Sequence, residues 1–306
     1  MKAVRVHAFG SLDAMVYEDV PRPSPGSGEV LVRVAAAGVG PWDAWVREGK
    51  SALPQPLPLT LGADLSGVVE AVGPEVAGFA PGEAVFGVTN RRFTGAYAEF
   101  ALAEAGMVAA KPAVLGDVEA ASVPVVACTA YQMLSRHAAV SAGQSVLVLG
   151  GAGNVGAYAV QLARLCGARV AATARERDLD FLRSLGAAEA VATGEPPPHL
   201  AGQMDLVIDT VGGGALAQAF DWLRPGGVLV SAVAAPDQAV AARRGVRAQF
   251  ILVDVTAADL RHLAGLFEAR ALRPHVGEVL GLSSATIAHR MLAEGKHRAG
   301  KIVLVP

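Results

Sequence analysis

The sequence predicts an α/β protein of two domains: a doubly wound parallel sheet in the middle of the chain and a β-rich domain formed by both chain ends. Three observations carry this expectation. Residues 1–120 hold short alternating strands at close spacing, the texture of antiparallel sheets or a partial barrel. From about 121 to 262, buried-type apolar strands alternate with helical stretches, as parallel βαβ units do. The closing KIVLVP resembles the first third again, so residues 263–306 are assigned back to the first domain. With 306 residues and 52% hydrophobic side chains, there is ample material for two cores.

The elements follow in order. EVLVRVAAAG, SGVVEAVG, GEAVFGV and AYAEFALA are each bounded by Gly, Pro or Asn and read as strands. Then SVLVL precedes the helix VGAYAVQLARL, RVAATA precedes RDLDFLRSLG, and DLVIDTV precedes ALAQAFDWL. GVLVSAV opens further α/β text. ADLRHLAGLFEARAL is helical and leads into LRPHVGEVLGL. The Pro-rich EPPPHL reads as a loop, and there is no internal repeat.

Composition excludes several classes. A net charge of -2 without an extended basic patch argues against nucleic acid or an anionic membrane as partner. Cys128 and Cys166 are too few for a disulfide framework or a four-thiolate zinc site, and are compatible with a reducing cytosol. The opening MKAVRVHAFG lacks the apolar core of a signal peptide, and the apolar runs are broken too soon to span a bilayer. A soluble, cytoplasmic protein is expected. His7, His137, His199, His262, His275, His289 and His297 show no metal-ligand spacing; none is assigned a catalytic role, and His137 and His262 read as surface. Cys128 has two readings, a small core residue or a reactive thiol.

The stretch VLGGAGNVG, residues 148–156, carries the chemistry. Gly151, Gly153 and Gly156 could form a packing turn alone. Their place between the strand SVLVL and a helix favours a dinucleotide cradle built from Gly151, Ala152, Gly153, Asn154, Val155 and Gly156. In that reading the first glycine permits the tight turn, the second admits the diphosphate, and the third allows close packing; the helix start attracts the anion. The next strand ends at Ala174, where an acid for the NAD ribose would stand. Arg175 and Arg177 follow, and guanidiniums suit a 2′-phosphate, giving a preference for NADPH of about ten- to over a hundredfold. The other reading of Arg175-Glu176-Arg177 is a solvated helix start, and Glu176 weighs against the phosphate site.

At this point the chain resembles the medium-chain dehydrogenase/reductase superfamily, in its zinc-free quinone oxidoreductase branch. The resemblance rests, in order, on EVLVRVAAAGVGPWDAWVREG, LGADLSGVVEAVG, GAYAEF, TAYQML, VLGGAGNVGAYAVQLARLCGA, DLVIDTVGG, LRPGGVLV and GKIVL. It implies a GroES-like catalytic domain holding both chain ends, an inserted Rossmann domain, and an active site in the cleft. Gly40 and Ala63 stand where zinc-dependent members carry Cys and His, so no metal is expected. Hydride transfer to a simple ketone builds an alkoxide, whose acid has a pKa of about 15.7, against about 10 for a phenol. A metal-free site therefore suits quinones and other conjugated carbonyls, whose reduced oxygen asks for roughly 7–8 kcal/mol less charge stabilisation.

The resemblance also implies roles. Gly40, Pro41 and Asp43 would line the mouth near the nicotinamide, with Asp43 paired to Lys301, which would also approach the diphosphate. Thr129 would face the nicotinamide ribose; Phe250, Ile251 and Leu252 would be apolar neighbours of the nicotinamide, one or two contributing backbone groups to its amide, and Val233 would be a further cofactor-binding residue. The other reading of Asp43 is a turn residue after Pro41; Tyr97 reads as structural and Tyr131 as core. Trp42 and Trp45 offer a flat wall for a planar acceptor, or simply packing. The chain departs from the branch in having Gly40 in place of Asn. Where the branch carries a Tyr after Arg-x-Gly it has Lys50 and Ser51, so no proton donor is evident. A homodimer through the edge VRAQFILV is implied by analogy. The expected function is NADPH-dependent reduction of quinones or conjugated carbonyls. The alternatives are an alkenal or enoyl double-bond reductase, and an NADPH-binding regulatory or crystallin-like protein with little turnover.

Overall fold

A computed structural model describes residues 1–194, 197–296 and 298–306. Glu195 and Pro196 of the Pro-rich loop, and His297, lie outside the described residues. Two compact units are present: Met1–Val125 with Val255–Pro306, and Val126–Asp254.

The first unit begins with β1 (Lys2–Val6), β2 (Met15–Asp19), β3 (Glu29–Val39), α1 (Pro41–Arg47) and β4 (Leu59–Thr60). It continues with β5 (Asp64–Val72), β6 (Ala84–Val88), β7 (Phe100–Glu104), β8 (Val108–Ala110) and α2 (Asp117–Ala121). β1 pairs antiparallel with β2 and β4. β3 is the spine of a larger sheet, with β5 and β7 antiparallel to it and β6 and β8 beyond β5. Val30, Val32 and Val34 of β3 are buried with Leu65 and Val69 of β5 in one apolar core. The AYAEFALA segment is strand only from Phe100, because before it the Tyr97 carbonyl accepts from Val4 and Ala98 bridges Ala3 of β1.

The second unit contains α3 (Pro124–Gln132, from its third residue onward), β9 (Ser145–Leu149), α4 (Asn154–Leu165), β10 (Arg169–Ala174), α5 (Leu179–Ser184) and β11 (Glu189–Ala192). β12 (Met204–Asp209), α6 (Gly213–Trp222), β13 (Leu223–Ser231), α7 (Gln238–Arg244) and β14 (Arg247–Phe250) complete it. The strands run parallel in the order β11-β10-β9-β12-β13-β14, with β14 at an edge. The order reverses between β9 and β12, and crevices at the carboxyl ends of strands beside such a point are where open α/β sheets bind ligands.

The chain returns to the first unit through α8 (Ala257–Glu268), β15 (Val276–Gly281), α9 (Ala285–Glu294) and β16 (Lys301–Val305). β16 pairs antiparallel with β3 and parallel with β15, which places the KIVLV strand in the β-rich unit. The return begins at Val255, earlier than the 263 expected, because Leu260, Leu263 and Phe267 bury the apolar face of α8 within that unit, against β8. Among the described residues no helix is long and apolar enough to cross a membrane.

Candidate functional site

The glycine loop connects β9 to α4. Its left-handed residue is Gly150 (φ +76°), so the tight turn falls one residue earlier than the Gly-x-Gly-x-x-Gly register assigns it. The double glycine of VLGG was the available signal. Gly151 instead gives close packing: a Cβ there would lie 2.8 Å from Ala172 Cβ and 2.9 Å from Leu182 Cδ2. A Cβ on Gly156 would run into the Gly150 carbonyl oxygen, so the first turn of α4 rests directly on the loop backbone. Gly153 is exposed, although a Cβ there would meet the Gly150 oxygen closely, at 3.2 Å.

Internal bonds hold this loop. Gly150 N–H donates to Thr173 Oγ1 (3.1 Å), Gly151 N–H to the Thr173 carbonyl (2.9 Å) and Gly153 N–H to the Gly150 carbonyl (2.9 Å). After β12, Thr210 Oγ1 donates to the Leu149 carbonyl (2.7 Å). Asn154, Val155 and Gly156 open the twelve-residue α4, and their N–H groups have no acceptor within the helix. Three bare amides, the positive end of a helix dipole and a side-chain-free Gly153 fit the diphosphate of a dinucleotide.

The neighbouring strand ends carry the other expected residues. Ala174 is buried at the end of β10, and Arg175 and Arg177 are exposed beyond it, with Arg177 Nε 3.8 Å from Asp178. Val233, Phe250 and Leu252 expose large apolar surfaces. Ile251 is buried instead, and its N–H donates to the Ser231 carbonyl (2.9 Å). Thr129 is buried in α3, and Tyr131, read as core, is only half-buried. Asp209 went unnoticed in the sequence. Its Oδ1 accepts from the Val211 and Gly212 amides (3.0 Å each) and its Oδ2 from Ser231 Oγ (2.7 Å), tying β12 to β13; an Asp before Thr-Val-Gly-Gly is the signature of such a turn.

In the first unit, Pro41 starts α1, a position its fixed φ favours, and Asp43 sits at the third helical position. Asp43 Oδ2 accepts from the Gly40 amide (2.8 Å) and from Tyr97 Oη (2.9 Å). The expected Asp43–Lys301 pair is not formed. Lys301 Nζ lies 2.8 Å from Asp64 Oδ2, whose other oxygen accepts from the Val125 amide (2.9 Å). Lys301 also stands over the Trp42 ring, 4.2 Å from its centroid, so its buried ammonium is committed inside the unit. His289 is a further residue that the sequence did not single out. Buried on α9, it places Nδ1 2.9 Å from Arg47 Nη1 and meets Tyr97 edge-on.

These groups titrate unusually. Burial pushes the Asp43 carboxyl up to about 7, against the pull of the Gly40 amide, Lys301 and Tyr97. Burial, reinforced by the Arg47 guanidinium, holds the His289 imidazole down to about 4. The two act in opposite directions. Asp43, with a raised folded pKa, stabilises fully below about pH 4 and loses that contribution as pH rises through 7. His289, with a depressed one, stabilises above about pH 6.5 and loses it as pH falls through 4. An Asp43→Asn variant keeps an oxygen for the Gly40 amide and cannot ionise. Its stability relative to the parent should therefore rise by up to roughly 4 kcal/mol between pH 4 and pH 8 in urea denaturation. An equal difference at both pH values would contradict the buried-carboxyl assignment.

Comparison with known proteins places this arrangement. Family models described as a zinc-binding dehydrogenase and as an alcohol dehydrogenase GroES-like domain match residues 185–304 and 26–113. The quinone oxidoreductase of Sus scrofa is 32% identical over the whole chain and 98% of that relative. The chain belongs to the medium-chain dehydrogenase/reductase superfamily, in its quinone oxidoreductase branch. A 2-methylene-furan-3-one reductase of Solanum lycopersicum is 39% identical over 77% of the chain and 64% of the relative. A crystal structure described as an NAD-dependent alcohol dehydrogenase superposes with a TM-score of 0.92 at 33% identity, covering both chains fully.

As a medium-chain oxidoreductase the protein has a Rossmann-like parallel-sheet domain and a GroES-like domain, and its fold implies a nicotinamide cofactor. Gly40 has no room for a side chain, because a Cβ there would overlap the Trp42 ring, and Ala63 is fully buried. No group of three or more His, Cys, Asp or Glu able to hold a metal occurs among the described residues.

Proposed function

We propose that the protein is an NADPH-dependent reductase of quinones and related conjugated carbonyls that works without a metal. The observation that carries this reading is the loop Gly150–Gly156, where Asn154, Val155 and Gly156 open α4 with amides that have no acceptor within the helix, behind the exposed Gly153 and at the reversal of strand order. NADPH bound there supplies a hydride. The chain's own residues then bind and orient. The α4 amides hold the diphosphate, Arg175 meets the 2′-phosphate, and Val233, Phe250 and Leu252 provide apolar surface for the nicotinamide end, with Ile251 contributing backbone. In the second unit Thr129 is assigned to the nicotinamide ribose; in the first unit Gly40 and Pro41 are assigned to the acceptor, with the buried Asp43 holding the Gly40 amide in place. Gly40 and Ala63 support the metal-free chemistry, since an acceptor whose charge delocalises needs no Lewis acid to stabilise an alkoxide.

The similarity to the tomato 2-methylene-furan-3-one reductase favours a second reading, reduction of an enone double bond, and the similarity to an NAD-dependent alcohol dehydrogenase speaks for testing both cofactors. Consumption of NADPH and NADH with 1,4-naphthoquinone, a 2-alkenal and a simple aldehyde separates these. The proposal expects quinone turnover with NADPH and none with the aldehyde. Preference for the alkenal would select the second reading, and tight NADPH binding with no acceptor turned over would select a binding protein. Arg175→Ala should raise the KM for NADPH about tenfold or more and leave that for NADH nearly unchanged; equal effects would reject Arg175 as the phosphate partner. Pairing of two copies through the edge strand β14, and a cytoplasmic location, complete the proposal.

A further inference from the structure

Trp42 is held by its neighbours without being fully buried. Its indole occupies the space beside the Gly40 backbone so fully that a Cβ on Gly40 would overlap three of its ring atoms. Lys301 stands over the ring at 4.2 Å, Lys301 is fixed by Asp64 at 2.8 Å, and the Phe93 ring lies 6.4 Å away at a 42° tilt. The ring is thus held from several sides, yet the residue is only half-buried. A rigid, partly open aromatic surface beside residue 40 has two chemical consequences. It offers a face on which a planar ring can stack, and it removes the volume a bulkier acceptor would need. The absence of a side chain at position 40 and the indole at position 42 are one feature, since the glycine is what allows the ring to lie there.

We infer that Trp42 is the specificity-determining residue for the acceptor: a fixed wall that stacks small planar quinones and excludes larger fused ones. This rests on the proposed quinone-reductase reading. Trp45, exposed three residues later on the same short helix and without the Lys301 contact, is not part of the wall.

The test compares kcat/KM for 1,4-benzoquinone and 9,10-phenanthrenequinone in the parent and in Trp42→Ala, Trp42→Phe and Trp45→Phe, with thermal melts alongside. In Trp42→Ala the ratio of large to small acceptor should rise about tenfold or more, mainly through KM, because the lost ring both opens volume and removes a stacking face. Trp42→Phe should fall between, and Trp45→Phe should match the parent. If Trp42→Ala does not fold, Trp42→Phe carries the test with a threefold shift. An unchanged ratio, or a parallel fall for both quinones, overturns the inference. If the parent turns over neither quinone, the functional reading fails and quenching of tryptophan fluorescence by phenanthrenequinone decides. A saturable component lost in Trp42→Phe and kept in Trp45→Phe upholds the wall, and a component unaffected by Trp42→Phe overturns it.

Discussion

Replacing Lys301 by Met should lower the unfolding free energy by about 3–5 kcal/mol, among the largest single effects available in the first unit. Lys301 and Asp64 are both almost wholly inaccessible, and their 2.8 Å contact is the charge partnership each has inside the unit. Burial raises the Asp64 carboxyl, and Lys301 and the Val125 amide pull it back. Taking away the ammonium leaves a carboxylate in an apolar surround, and the cation over Trp42 goes with it. The cost belongs to the orphaned charge rather than to the pair itself, so the double variant Asp64→Asn/Lys301→Met should recover much of the loss. Urea denaturation of the three variants checks this. A loss below about 1 kcal/mol for Lys301→Met, or a double variant no better than the single, would show that the two charges are not coupled as the geometry requires.

Gly156→Ala is the second large effect, and its sign is informative. Within a helix, alanine is ordinarily better than glycine by roughly 0.5–1 kcal/mol. Here the added Cβ runs into the Gly150 carbonyl oxygen, with the Gly150 carbonyl carbon and Gly151 Cα both at 2.8 Å. All three are backbone atoms, so no side chain can swing aside, and the first turn of α4 must move away from the loop. The amides of Asn154, Val155 and Gly156 would then be displaced from the place the loop gives them. Each hydrogen bond to a charged group is worth about 1.5–3 kcal/mol, so misaligning two of them should weaken NADPH binding about a hundredfold or more. Calorimetric titration reads this directly, and a melting temperature lower than the parent's confirms the reversed sign. Unaltered affinity would mean that the close approach of helix and loop plays no part in holding the nucleotide.

Much of the fold was legible because its signals are local. The change from period-two strands to strand–helix alternation near residue 120 marks the second unit, and the apolar KIVLV run rejoins the β-rich one. The glycine loop was legible as a whole but not in its register: three glycines fit a spacing rule, while the left-handed φ fell on the fourth, Gly150. What failed was side-chain pairing across long sequence distances. Asp43 in the first turn of α1 and Asp64 at the start of β5 are both acids near Lys301, and no feature of the sequence says which one the ammonium reaches. His289 read as one scattered histidine among seven, since its environment is made by Arg47 and Tyr97, which lie 242 and 192 positions away by numbering. The coupling of Gly40 to Trp42 was hidden too, because a glycine gives no hint of the ring that fills its place.

The account depends on a dinucleotide lying against the start of α4. Amide hydrogen exchange of the loop with and without saturating NADPH tests that claim at the residues concerned. The account predicts that Asn154, Val155 and Gly156, which lack acceptors within the helix, exchange at least about tenfold more slowly once NADPH is bound. Exchange at these three amides that is unchanged by saturating NADPH would contradict it.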